Sequence, residues 1–166
     1  MTHVPAPDPF TVFGLTRSLD IDAQALEKRY LALSRECHPD LLRTQEVGDC
    51  AAVLQRSAEV NDAFSILRDP WRRARALLET ASPGVLDRNK KLDPTFLADA
   101  LELAEEVAFA KQEHVQPLQR RLAACVDADW AALRTAIEHG DLDAAARRFH
   151  ASHYHKKALS DLELKA

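Results

Sequence analysis

His38, Pro39 and Asp40 stand in a row just past a helical pattern, and of all the residues in the chain they are the best suited to a specific contact. Proline fixes the backbone, so the flanking histidine and aspartate point outward in a limited set of geometries and lose little entropy on binding. Asp40 can pair with a cationic group on a partner, and His38 offers a donor and an acceptor at one position. No hydrolytic nucleophile or metal constellation accompanies them. Taken alone, the tripeptide also suits a plain helix stop with a solvated His and Asp.

Three further groups carry chemistry. Lys28 and Arg35 are seven residues apart and share one helix face, with Arg29 alongside, opposite Leu26, Leu33 and Cys37. Such a face either steers an acidic partner or is an ordinary solvated surface. Leu97 and Leu101 are one turn apart and stay on a second face once a core stripe has been assigned to their helix, with Glu102 and Glu105 beside them. They suit the apolar centre of a helix-mediated contact with a charged rim, and equally suit packing inside the same bundle. His150, His153 and His155 invite a metal site, but on a helix His155 points away from the other two, so no metal is expected there.

Composition narrows the class. A chain of 166 residues with 46% hydrophobic and 29% charged residues is an ordinary globular protein, so neither disulfides nor a metal is required for folding. Cys37, Cys50 and Cys125 lie far apart without a C-x-x-C pair, which points to a reduced, cytoplasmic setting with Cys37 as a buried small hydrophobe. A net charge of -4 gives no global field for holding nucleic acid. No apolar run approaches the roughly 18 residues that span a bilayer, and no apolar stretch follows a basic start. Neither a nucleic-acid partner nor a membrane is expected.

These residues need elements to position them, and the chain reads as all-α: glycine and β-branched residues are sparse, while Ala, Leu, Glu and Arg dominate. A helix capped by Asp22 carries Leu26, Tyr30, Leu33 and Cys37 inward and ends at Pro39. A second helix from about Val47 carries Val53, Ser57, Val60, Phe64 and Leu67, and Asp69-Pro70 closes it. The two form a helical hairpin with His38-Pro39-Asp40 at its tip and Phe10, Val12, Phe13 and Leu15 across its base. A short helix follows over Trp71–Glu79. Ser82-Pro83-Gly84 and the charged stretch after Asp87 read as a linker. Beyond it, Asp93-Pro94 starts a helix with the stripe Phe96, Ala100, Leu103, Val107 and Ala110. A long helix from about His114 to His139 and a last one from Asp141 complete an antiparallel three-helix bundle. The predicted organisation is a domain over 8–80, a linker over 81–92 and a bundle over 93–166.

The context of the tripeptide matters more than the tripeptide. It lies behind Lys28, Arg29, Tyr30 and Arg35 and ahead of Asn61, Phe64, Leu67, Asp69-Pro70, Arg72 and Ala74, an arrangement that resembles the J-domain. Phe10-Thr11-Val12-Phe13-Gly14-Leu15 and the helix bearing Phe96-Leu97, Leu101-Glu102-Leu103 and Glu105-Glu106 are similar to the HscB-type J-domain co-chaperones of iron–sulfur cluster assembly. The resemblance runs from Phe10 over nearly the whole chain. It implies a protein that is not itself an enzyme, carries no cofactor, binds an IscU-type scaffold with its C-terminal bundle and stimulates the ATPase of an HscA or DnaK-like chaperone.

Carried over by position, His38, Pro39 and Asp40 trigger the ATPase, and Lys28, Arg29 and Arg35 form the docking surface. Leu97, Leu101, Glu102, Glu105 and Tyr154 bind the scaffold. Leu41 replaces the lysine that often follows the tripeptide, with Arg43 as the residue able to compensate, and Ala98 is smaller than expected. The alternative expectation is a J-domain adaptor that delivers a different client.

Overall fold

Aspartates at the starts of helices set much of the local structure, since each can accept from amides that have no partner inside the helix. The structure is a computed structural model and describes residues 7–37 and 47–164, of 47–50 the backbone alone. Asp8 accepts from Phe10 N at 3.0 Å and opens α1, Pro9–Phe13. Asp22 accepts from the amides of Gln24 and Ala25 and opens α2, Ala23–Glu36. Helix α3 runs over Val47–Arg68, and Asp69 then accepts from Arg72 N at 2.8 Å to start α4, Pro70–Ala81. Gly14 ends α1 at a φ of +57°, and a Cβ there would come within 2.8 Å of the Arg29 guanidinium, so glycine serves both the turn and the close approach.

The chain divides into two units, 1–80 and 81–166. In the first, α1 and α2 both pack on α3. Tyr30 of α2 stacks on Phe64 of α3 with ring centroids 4.1 Å apart, and its hydroxyl donates to Asn61 at 2.9 Å. Phe13 of α1 meets the same Phe64 at 6.5 Å. The aromatic cluster thus joins the three helices, with Phe10, Phe13, Val60 and Leu67 buried around it.

In the second unit, Asp93 and Asp141 open α6, Pro94–Ala108, and α8, Leu142–Glu163, while α7 spans Gln112–Glu138. Pairs across α7 and α8 run in opposite senses: Asp129 meets His155, while Leu122 shares a cluster with Ala158 and Leu162. Phe96 and Val107 of α6 meet rising positions of α8, so α6 and α8 run parallel and α7 runs antiparallel to both. Val107, Val115, Leu118, Leu122, Ala158 and Leu162 form the core where the three converge. Gly140, at a φ of +74°, turns the chain between α7 and α8.

The segment 81–92, expected as a linker, contains a helical turn, α5, Val85–Arg88, packed on α8. Val85 and Leu86 are buried, which explains why this stretch does not remain a free tether. Asn89 and Arg88 donate to Asp143 of α8 at 2.7 and 3.1 Å, Arg147 donates to Asn89, and His150 Nε2 donates to the Leu86 carbonyl at 2.8 Å. The described residues thus form eight helices. None of these helices is long and apolar enough to cross a membrane.

Leu122 is wholly buried at the centre of the second unit, so Leu122→Ala should destabilise it by about 2–5 kcal/mol in denaturant titration. Asp143 gives a second test. The amide of Asn89 and the guanidinium of Arg88 hold its carboxyl below the ordinary range. A lowered folded pKa contributes stability above the unfolded value and loses it as pH falls through the folded one. Asp143→Ala should therefore lower the unfolding midpoint at about pH 6, and the gap from the parent should close below about pH 4. A gap independent of pH would show that the charge of Asp143 is not what anchors α5.

Candidate functional site

Two surfaces gather the residues singled out by sequence. On the first unit, α2 turns Lys28, Arg29 and Arg35 to solvent, while Leu26 and Cys37 are buried on the opposite side. Leu31 lies between Lys28 and Arg35 on that face and is 49% exposed, an apolar point among cations that the spacing of charges alone did not reveal. Arg29 differs from the other two because its guanidinium reaches back to Gly14 at the end of α1. His38, Pro39, Asp40, Leu41 and Arg43 lie outside the described residues.

On the second unit, α6 and α8 enclose an open groove of about 410 Å³. Its walls include Leu97, Ala100, Leu101, Ala104 and Val107 from α6 and Tyr154, Lys157, Ala158 and Asp161 from α8. Leu97 and Leu101 are 38% and 62% exposed and Tyr154 is 43% exposed, so the leucines do not pack inside the bundle. Helix geometry explains this. The buried stripe of α6 runs through Ala100 and Val107, and Leu97 and Leu101 fall on the neighbouring face, which Tyr154, Lys157, Ala158 and Asp161 of α8 border without covering. At the rim, Lys157 donates to both carboxylate oxygens of Asp161 at 3.1 and 2.9 Å, leaving the groove floor apolar.

The five residues expected to act together separate in part. Leu97, Leu101 and Tyr154 share the groove. Glu102 lines a different hollow on the other flank of α6, with Asp99, Glu106, Arg121, Asp129, Arg148 and His155, where Arg121 and Glu106 form an ion pair. Glu105 is exposed on the outer side of α6. Sequence inspection missed Ala104, Lys157 and Asp161, although Tyr154, Lys157 and Asp161 have the spacing of one helix face.

The three histidines are engaged separately. His150 Nε2 donates to Leu86 O, His153 Nδ1 to Phe149 O at 2.8 Å, and His155 Nδ1 to the Asp129 carboxylate at 2.6 Å. Among the described residues no group of three or more His, Cys, Asp or Glu side chains is placed to hold a metal ion.

Comparison with known proteins bears on both units. Residues 92–163 match the family model described as the HSCB C-terminal oligomerisation domain. The chain is similar to the co-chaperone protein HscB homologues of Bordetella petrii, 38% identical over 109 residues (65% of this chain, 64% of the relative), and Haemophilus ducreyi, 38% over 102 residues (60% and 59%). These matches span less than two thirds of those relatives' length. The Bordetella pertussis homologue is 31% identical over 138 residues, 82% of this chain and 74% of the relative.

Among solved structures, chaperone HscB from Vibrio cholerae superposes with a TM-score of 0.82 at 26% identity, covering 96% of this chain and 97% of that one. Human co-chaperone protein HscB gives 0.84 at 25% identity, covering 98% and 83%. An all-helical chain that shares 31% identity with one such homologue over 82% of its length, and the fold of HscB over 96% of it, belongs to the HscB-type co-chaperone family.

Proposed function

We propose that this protein is a co-chaperone of iron–sulfur cluster assembly that seats an IscU-type scaffold on the groove between α6 and α8 and stimulates ATP hydrolysis by an HscA or DnaK-like chaperone. The observation that carries this reading is the exposure of Leu97, Leu101 and Tyr154 in one groove, inside the segment that matches the family's C-terminal domain. Exposed apolar side chains cost free energy in water unless a partner covers them, and an apolar floor with a charged rim suits a segment of another protein.

The first unit supplies the other contact. Lys28 and Arg35 flank Leu31 on an exposed face, a pattern that attracts an acidic surface over a distance and gives it an apolar point to close on. His38, Pro39 and Asp40 follow this helix directly in sequence and are the residues assigned to the trigger. The chain itself is then no enzyme: the hydrolytic chemistry belongs to the ATPase, and the tripeptide biases that partner's conformational equilibrium. A cytoplasmic setting, with no resident cofactor, accompanies this role.

Titration of the scaffold by calorimetry should show Leu97→Ala with Leu101→Ala weakening binding at least about tenfold, because each truncation removes apolar area from the contact centre. Thermal stability should barely move, since surface truncations change it by about 0.5 kcal/mol or less. A large loss of stability with unchanged affinity would assign the two leucines to the core instead. His38→Gln should abolish stimulation of steady-state ATP hydrolysis while scaffold binding persists, and stimulation equal to the parent's would remove the tripeptide from the mechanism. Raising salt should weaken the chaperone contact more than the scaffold contact, because only the former depends on an exposed basic face.

A further inference from the structure

We infer that Asp129 and His155 are positioning residues for the groove: their hydrogen bond fixes the His155 ring against Phe96, and Phe96 sets where α6 presents Leu97 and Leu101. Over Pro94–Glu102 only Phe96 and Ala100 turn away from solvent, so these two attach the front half of α6 to α8. The Phe96 ring stands edge-on to two consecutive residues of α8, to Tyr154 at 5.7 Å and 87° and to His155 at 5.9 Å and 81°. Tyr154 lines the groove, and His155 lines the hollow on the opposite flank. The ring is therefore gripped from both sides. Leu97 follows Phe96 in the chain, so any roll of α6 that frees the ring also moves the groove wall.

The orientation of His155 comes from α7. Its Nδ1 donates to Asp129 at 2.6 Å, and the two side chains are 19% and 8% exposed. A carboxylate withdrawn from water needs a charged or hydrogen-bonding partner. Replacing both members of such a pair with hydrophobic side chains of similar volume is often neutral or stabilising, whereas removing one leaves the other withdrawn from water without its partner. Packing alone thus does not call for an aspartate on this buried face. The pair adds direction, since a hydrogen bond at Nδ1 restrains the otherwise soft rotation of the imidazole about its last bond. Glu102, Glu106, Arg121 and Arg148 face the same hollow.

The affinity part of this inference rests on the proposed scaffold binding, whereas the positioning part is read in the free protein. The full chain carrying labelled leucine methyl groups is compared with Asp129→Leu, Asp129→Asn and Phe96→Leu by NMR, alongside calorimetry with an IscU-type scaffold. Asp129→Leu should shift the Leu97 and Leu101 methyl signals and weaken scaffold binding about threefold to tenfold, the scale of an oriented aromatic contact, and should lower the unfolding midpoint because His155 loses its partner. Asp129→Asn keeps an oxygen acceptor and should restore the methyl signals and the affinity. Phe96→Leu should reproduce the methyl shifts, and Asp129→Leu added to it should change nothing further. Unmoved methyl signals in Asp129→Leu, or in Phe96→Leu where the former does not fold, overturn the inference. A parent protein that fails to bind the scaffold while the methyl shifts occur as expected overturns the proposed function alone.

Discussion

Helix α8 packs against α5, α6 and α7, and the second unit is built on that fact. A helix with three neighbours cannot carry a single apolar stripe, and its buried residues accordingly lie around much of its circumference: Ala145, Ala146, Phe149, Ala151, Ser152, Ala158 and Leu162. Most are small. Alanine and serine let helix axes approach closely, which suits a helix crowded on several sides, and Phe149 and Leu162 fill the wider gaps. Ser152 satisfies its buried hydroxyl by donating to Phe149 O one turn earlier, so the crowding leaves no polar debt at that position.

From this arrangement follows the exposure of α6. It runs parallel to α8 and rests on it through a narrow contact, while α7 claims the larger share of the α8 surface. A helix as apolar as α6, with Phe96, Leu97, Leu101, Leu103 and Val107 within 15 residues, has more hydrophobic surface than its contacts with α8 and, through Val107, with α7 cover. The surplus becomes the groove wall. Asp93 supports the same helix from its start, where the amide of Thr95, then its hydroxyl, then the amide of Phe96 hold the Asp93 carboxyl below the ordinary range. The cap and the Phe96 seat lie within one turn, so the front of α6 is fixed at both its backbone and its side-chain contact.

Much of this was legible in the sequence because the signals are local. Asp22, Asp93 and Asp141 cap the helices they were expected to cap, Gly140 takes the left-handed turn, and the all-α class follows from helix periodicity maintained over long stretches. What escaped was set by tertiary packing. Val85 and Leu86 are two apolar residues amid turn formers and charges, too short a signal to distinguish a docked turn from a tether, and only the partners Asp143, Arg147 and His150 on α8 decide it. Glu102 follows Leu101 directly but points to another flank, because successive helical residues are about 100° apart and sequence adjacency is a poor guide to shared surface. The histidines show the same limit from the other side: three close in sequence, they answer to a carbonyl of α5, a carbonyl of their own helix and a carboxylate of α7.

The two units manage exposed apolar surface in the same way, although their helices differ. Leu31 lies between Lys28 and Arg35 on α2, and Leu97 and Leu101 lie beside a rim where Lys157 and Asp161 neutralise each other. In both, charge surrounds a small apolar centre. Such a patch resists nonspecific association because a mismatched partner would strand the rim charges without water, whereas a complementary one covers the centre and leaves the rim solvated. The sign of the surroundings differs: Leu31 is flanked by Lys28 and Arg35 on α2, whereas beside the groove Lys157 and Asp161 pair with each other. The two patches thus differ in the charge that surrounds them, although each has an exposed apolar centre.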